Sequence, residues 1–369
     1  MMKNILLMVP RLNIGGAETY TAEIAESLKS RGYNVYTASG GGILTKKLAQ
    51  KGIHNFFLPM RFSTDLSAWM LKRIVKKYHI DLIHANSAAA GITAVKFKQR
   101  YKNIPVIFTA HGIFGGNKRE YILNDCDKII CVSKFLQDEV IKKGFNPQKM
   151  ITLYTGIDTQ KFSDKHIDNT LREKLSIPKN AFTMALVARI KNLTNKGHLD
   201  MINIFKNHEE CRNWHLIIIG KGKSLFKLKA LIKKYSLEKN IHCVGHQIDV
   251  AKYVSICNAV VLPSYFETFG LALAEGLAMG KPGITYKVGG CPEVVIDGET
   301  GFVAKYKDEE DFWQKLHILA TDEKLCKQMG KNAHEYVKKH FDYDYMLNIL
   351  EKIYKDECKL KNNEGTNNK

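Results

Sequence analysis

Short runs of consecutive apolar residues alternate along this chain with longer stretches in which apolar residues recur every three or four positions. The runs predict strands at Lys3–Val9, Asn34–Ala38, His54–Leu58, Leu82–Ala85, Val106–Thr109, Lys128–Val132 and Ile151–Tyr154. A second series follows at Thr183–Val187, His215–Ile219, His242–Val244, Ala259–Leu262 and Gly283–Tyr286. Between them the helical period marks Ala17–Ser30, with Ala17, Tyr20, Ile24 and Leu28 on one face, and also Ser67–Tyr78, Ala88–Arg100 and Lys134–Lys143. Strands that are apolar throughout and that alternate with helices belong to parallel sheets covered on both faces. The pattern therefore predicts an α/β chain of two Rossmann-like domains with a ligand cleft between them. The expected divisions are residues 1–160, a polar linker at 161–180, a second domain at 181–340, a helix at 341–358 and a disordered tail at 359–369. Tyr343–Glu357 carries Met346, Leu350 and Ile353 on one face, so that helix is expected to pack on something.

At 369 residues the chain is long enough for two such domains, and 45% apolar with 25% charged residues is ordinary for a globular protein. No apolar run reaches the roughly 18 residues of a membrane span, and the first strand is too short for a secretory signal. A cytosolic location is expected. The eight cysteines form no Cys-x-x-Cys pair and read as reduced, buried thiols. The histidines show no metal-ligand spacing, so no metal is expected.

The formal net charge of +19 changes the picture, because it asks for an anionic partner. No zinc finger, RNA-recognition motif or single basic recognition helix appears, which sets nucleic acid aside. Two helices concentrate cations. One runs Trp69–Tyr78 with Lys72, Arg73, Lys76 and Lys77 opposite Met70, Ile74, Val75 and Tyr78. The other, Val95–Lys102, mixes Lys96, Lys98, Arg100 and Lys102 with Phe97 and Tyr101. Both fit solvated faces of Rossmann helices. Both also fit docking on the anionic inner leaflet of a membrane, where each cation near the surface is worth about 1 kcal/mol.

The candidate chemistry sits in loops that follow strands. Gly15 and Gly16, between the first strand and its helix, serve either a tight turn or a close approach of backbone N–H groups to phosphate. His111 stands at the end of another strand, before Gly112. Arg189 ends the first strand of the second series, and Lys196 stands just before the following helix. Both can reach one anion; Lys191 is a competing candidate, and Lys196 is preferred. Gly220 and Gly245 end the next two strands. The most informative stretch is Pro263–Val303, with Glu267, Thr268, Phe269 and Gly270 in a loop and Leu271 opening a helix that carries Glu275. Were 267–275 all helical, the two glutamates would be about 12 Å apart along the axis. With Glu267 in the loop, both can face one ligand, hydroxyls at its ends and an anion near the helix N-terminus. In isolation the pair fits a solvated helix residue and a loop charge better than it fits a site.

Glu-x7-Glu within Pro-Ser-x-x-Glu-x-Phe-Gly, followed by Gly-x-Pro, Gly-Gly-x-x-Glu-Val-Val and Asp-Gly-x-Thr-Gly, changes that weighting. On this series the chain resembles the retaining, nucleotide-sugar-dependent glycosyltransferases of family four, which have the GT-B fold. The resemblance spans nearly the whole chain. It implies that Glu267 contacts donor-sugar hydroxyls, Glu275 the ribose, and Arg189 and Lys196 the diphosphate. Gly15 and Gly16 would approach the phosphate, His111 would face the sugar, and Gly220, Gly245, Thr268, Phe269, Gly270 and Leu271 would line the donor. It also implies that the last helix crosses back onto the first domain. No cofactor or metal is implied: a nucleoside-diphosphate sugar, most often of uridine, is the co-substrate, and a lipid-linked or saccharide chain the acceptor. The sequence departs from the family at Ala188, where glycine is usual, in the longer gap from Arg189 to Lys196–Gly197, and at Gly276 and Gly283. A sugar-nucleotide epimerase of the same fold and a non-catalytic nucleotide-sugar or membrane-docking module are the alternatives.

Overall fold

The computed structural model describes residues 3–101, 104–163 and 168–366; Lys102, named in the second basic stretch, lies outside them. The chain divides into two compact units, Met1–Thr155 with Tyr345–Lys369, and Gly156–Asp344.

In the first unit the strands are β1 (Asn4–Met8), β2 (Asn34–Ser39), β3 (His54–Phe57), β4 (Leu82–Ala85), β5 (Val106–Ala110), β6 (Lys128–Cys131) and β7 (Met150–Thr152). They form one parallel sheet in the order β3-β2-β1-β4-β5-β6-β7. Helices α1 (Gly16–Ser30), α2 (Leu44–Gln50), α3 (Thr64–Tyr78), α4 (Ala88–Arg100) and α5 (Lys134–Ile141) connect them. Ser63, Ser87 and Ser133 cap α3, α4 and α5 through side-chain oxygens that accept a backbone N–H. β4 and β5 are buried along their full length, which is why they read without polar alternation.

The second unit holds β8 (Thr183–Val187), β9 (His215–Ile219), β10 (Ile241–Gly245), β11 (Ala259–Leu262), β12 (Gly283–Tyr286) and β13 (Gly301–Ala304), again all parallel. Their order is β10-β9-β8-β11-β12-β13. α6 (Asn169–Lys174), α7 (His198–Asn207), α8 (Leu225–Lys234), α9 (Val250–Ser255), α10 (Leu271–Ala278), α11 (Cys291–Val294), α12 (Glu309–Thr321) and α13 (Glu323–His340) cover it. In both sheets the order reverses direction beside the first strand, between β1 and β4 and between β8 and β11. The crevice outside the strand C-termini at such a reversal is where open α/β sheets bind ligands.

Some boundaries differ from the sequence reading. The division between units falls at Thr155/Gly156, ahead of residue 160, because the Ile157 N–H donates to Phe341 O at 2.7 Å and ties this segment to the second unit. β13 and α2 were not foreseen. The last helix, α14, runs Tyr343–Thr366, through most of the stretch expected to be a disordered tail; residues 367–369 lie outside the described ones. Its Met346, Leu347, Leu350, Ile353 and Tyr354 are buried. From Tyr345 onward α14 belongs to the first unit. Tyr354 Oη lies 2.5 Å from His84 Nδ1 on β4, and His84 Nε2 lies 2.7 Å from Thr109 Oγ1 on β5. Arg31 closes the rim, donating to Asn348 Oδ1 at 2.6 Å and pairing with Glu351 at 3.4 Å. Among the described residues no helix is long and apolar enough to cross a membrane.

Two predictions follow from the buried polar groups. Tyr354→Phe leaves a ring nitrogen of His84 unsatisfied in the core, and should cost about 1–3 kcal/mol in a denaturant melt. Burial also holds several imidazoles neutral, pushing His84 down to about 3 and His111, His198 and His242 to about 4. These folded values lie below the unfolded one, so the stabilisation is complete above about pH 6.5 and is lost as pH falls toward 4. Thermal melts from pH 7.5 to 4.5 should show a steady fall in Tm, and His84→Gln should flatten it.

Candidate active site

The rim of the second unit is built from loops that follow β8, β9, β10 and β11. They are stitched by backbone hydrogen bonds: Ala188 N to Ile219 O at 3.1 Å, Ile190 N to Lys221 O at 3.1 Å, Gly220 N to Gly245 O at 2.8 Å, and Tyr265 N to Asn195 O at 3.0 Å. Gly220 and Gly245 are thus bonded neighbours on the floor of the rim. The loop after β8 meets the loop after β11 at Gly197. Its φ of +66° is left-handed, and a Cβ there would stand 2.2 Å from Pro263 O, so the turn into α7 needs glycine.

That contact brings two candidate residues together. Lys196 Nζ lies 2.5 Å from Glu267 Oε2 and 3.4 Å from Phe266 O. Both side chains are partly open, at 25% and 18% exposure, so the pair is reachable from outside. Lys191 is exposed, and its carbonyl accepts from Ser224 Oγ at 2.9 Å. Of the two competing lysines, Lys196 is the one placed at the β8/β11 reversal. Arg189 is exposed on the same loop. Thr268 and Phe269 are buried beneath the loop, and Gly270, at φ +99°, turns the chain into α10. Leu271 opens that helix, and Glu275 is half-buried one turn on. Gly276, a departure from the family pattern, is filled from the sheet: a Cβ there would meet Val260 Cγ1 at 2.3 Å. Cys291 packs beside Gly270, its thiol pushed up to about 12 by burial and then by Glu267. It stays protonated near neutrality and offers no nucleophile.

On the first unit, α1 begins at Gly16 with Gly15 in extended backbone, and nothing lies within 4 Å of a Cβ built at Gly16. Half-buried His111 follows β5, with the Tyr20 ring edge-on at 4.7 Å.

His198 and Asp200, just past Lys196 in the chain, escaped the sequence reading. His198 is fully buried at the start of α7, and neither ring nitrogen has a partner among the described residues; Ser264 Oγ is likewise buried and unpartnered. The Lys196 charge adds to burial in keeping His198 neutral. A histidine directly after Lys-Gly was a signal that could have been weighed. Asp200, two residues further on, accepts from Tyr286 Oη at 2.8 Å in the core; burial raises its carboxyl pKa. Among the described residues no group of three or more His, Cys, Asp or Glu is arranged to hold a metal ion.

Comparison with known proteins agrees along most of the length. Residues 14–161 match the Glycosyltransferase Family 4 model, and residues 168–336 match the model of Glycosyl transferases group 1. The chain is 24% identical to the N-acetyl-alpha-D-glucosaminyl L-malate synthase of Bacillus anthracis over 364 residues, 93% of this chain and 94% of that protein. It is 24% identical to the UDP-Gal:alpha-D-GlcNAc-diphosphoundecaprenol alpha-1,3-galactosyltransferase of Escherichia coli over 303 residues, 78% of each chain. Among solved structures, Anabaena HepE in complex with UDP and glucose superposes with a TM-score of 0.85 at 20% identity, covering 96% of this chain and all of that one. With its two parallel-sheet units of GT-B type, the chain belongs to the group 1 and family 4 glycosyltransferases and is an enzyme of the hexosyltransferase type.

Proposed function

We propose that this glycosyltransferase moves a hexosyl group, with retention, from a uridine diphosphate sugar to a lipid-linked or surface-polysaccharide acceptor. The observation that carries this reading is the Lys196–Glu267 pair at the β8/β11 reversal. It sets a cation and a sugar-hydroxyl acceptor side by side on an open rim. The choice of uridine and of a lipid-linked acceptor draws on the relatives: HepE is bound to UDP and glucose, and the E. coli enzyme is named for UDP-Gal and a diphosphoundecaprenol.

Breaking the anomeric C–O bond leaves positive charge on the sugar carbon and added negative charge on the diphosphate. In this reading Lys196 turns from Glu267 to the diphosphate, Arg189 joins it, and the N–H groups at the start of α7 and α10 add to the field. Glu267, released from the lysine, accepts from sugar hydroxyls, and Glu275 accepts from the ribose. The acceptor oxygen bonds to the anomeric carbon on the face that the diphosphate leaves, and the departing phosphate oxygen takes the acceptor proton. The cations supply the charge neutralisation, so no metal or further cofactor is needed. His111, Gly15 and Gly16 keep the roles that the family resemblance implies for the first unit. The enzyme would work in the cytoplasm.

Lys196→Ala and Arg189→Ala should each lower kcat by about 2–4 kcal/mol of transition-state stabilisation, while Lys191→Ala stays within about twofold. Equal losses in Lys191→Ala and Lys196→Ala would refute the assignment. In a thermal-shift panel of UDP-, GDP- and ADP-sugars, the uridine donors should raise Tm most, since a ligand that binds only the folded state stabilises it. Chromatography of the donor without acceptor should show no epimer, and product should form only when an acceptor is added.

A further inference from the structure

The structure separates the two basic helices that the sequence left equivalent. On α4 the cations are satisfied internally. Lys96 pairs with Asp65 at 2.6 Å, Lys98 with Asp127 at 2.8 Å, and Arg100 approaches Asp65 at 3.6 Å. Phe97 is buried. This helix is spoken for by its own unit.

α3 and the loop before it differ. Ser67, Ala68 and Leu71 face the core. The opposite side presents one stripe at helical spacing, and along it the chemistry changes. Phe62, Leu66 and Trp69 come first, and Phe62 and Trp69 are 89% and 65% exposed. Lys72, Arg73 and Lys76 follow, all exposed. No carboxylate pairs with those three among the described residues; Lys72 lies 4.5 Å over the Tyr101 ring. Asp65 interrupts the stripe, but Lys96 and Arg100 offset its charge, and the Lys96 hydrogen bond holds its pKa below the usual range. Water solvates a cationic face without any need for three large apolar side chains at its end.

We propose that this stripe docks the first unit on an anionic phospholipid bilayer. Phe62, Leu66 and Trp69 insert at the acyl boundary, and Lys72, Arg73 and Lys76 meet the lipid phosphates. From Leu66 to Lys76 the helix rises about 15 Å, enough for a tilted α3 to reach from the acyl boundary past the headgroups. Interfacial helices bind by this sum of buried apolar surface and attraction to anionic lipid. The inference goes beyond the transfer reading and does not rest on it.

The test is flotation of the full-length protein with vesicles of phosphatidylcholine alone or mixed with phosphatidylglycerol, at low and high salt. Wild type should float with the mixed vesicles at low salt, with a blue shift in tryptophan emission. Trp69 would dominate that shift, because Trp214 is buried and Trp313 is half-buried against the core of the second unit. Phe62→Ser with Trp69→Ser should lower partitioning by about tenfold or more at either salt. Arg73→Gln with Lys76→Gln should remove the preference for phosphatidylglycerol while leaving the salt-insensitive part. Lys98→Gln, whose partner Asp127 lies off the stripe, should change neither. These side chains are exposed, so unchanged circular dichroism and unchanged UDP-induced thermal shift will show that each variant is folded. Equal flotation of wild type and the Phe62/Trp69 variant overturns the proposal. So does a wild-type dimer that falls to monomer in that variant, which would make a second copy the occupant. Vesicle binding without sugar transfer leaves docking standing and rejects the transfer reading; transfer without vesicle binding does the reverse.

Discussion

The account depends on one contact, the ion pair between Lys196 and Glu267 where the second sheet reverses its strand order. Two loops from neighbouring strands β8 and β11 must arrive there within hydrogen-bond reach. Everything local serves that meeting: the left-handed Gly197 under Pro263, the Tyr265 to Asn195 backbone bond, and the Gly270 turn that frees the N-terminus of α10. An ion pair that is partly open to water is worth little as a fastener. Its value here is as a poised pair of opposite charges that a ligand carrying both phosphate and hydroxyls can divide between them.

The first unit is organised by a different constraint. Its sheet carries buried polar side chains in adjacent strands, and they are satisfied by a helix from the far end of the chain. Tyr354 reaches His84, His84 reaches Thr109, and Arg31 holds Glu351 and Asn348 at the edge. The closing helix is therefore part of this unit's core, since removing it would leave the His84 imidazole short of a partner where water cannot supply one. With this unit secured at its back, α3 can leave one face unused by the core.

Much of this was legible in the sequence, for a physical reason in each case. Strands buried on both faces have no polar alternation, so β4, β5, β8, β9 and β11 announce themselves within a residue. Arg189, Lys196 and Glu267 could be singled out as candidates because each lies in a loop that follows a strand, and Glu275 because it stands one turn into the helix after Glu267. What was missed lacked such a signal. β13 is four residues long with Phe302 and Val303 half-buried, directly after an Asp-Gly turn, and it reads as the end of that turn. α2 is seven residues with Leu48 its one buried side chain. The polar end of α14 has no apolar period to reveal a helix. His84 and Tyr354 are 270 residues apart, and no local pattern links them. Nor could composition tell the two basic helices apart, because the aspartates that offset α4 come from α3 and from the segment around Asp125 and Asp127.

The division of labour at the ion pair is open to direct titration. Isothermal calorimetry of wild type, Lys196→Met and Glu267→Gln against UDP and against a UDP-sugar separates phosphate binding from sugar binding. The account predicts that Lys196→Met weakens both ligands by about tenfold or more, and that Glu267→Gln weakens the UDP-sugar while leaving UDP unchanged or tighter. Wild-type affinity of both variants for both ligands would contradict it.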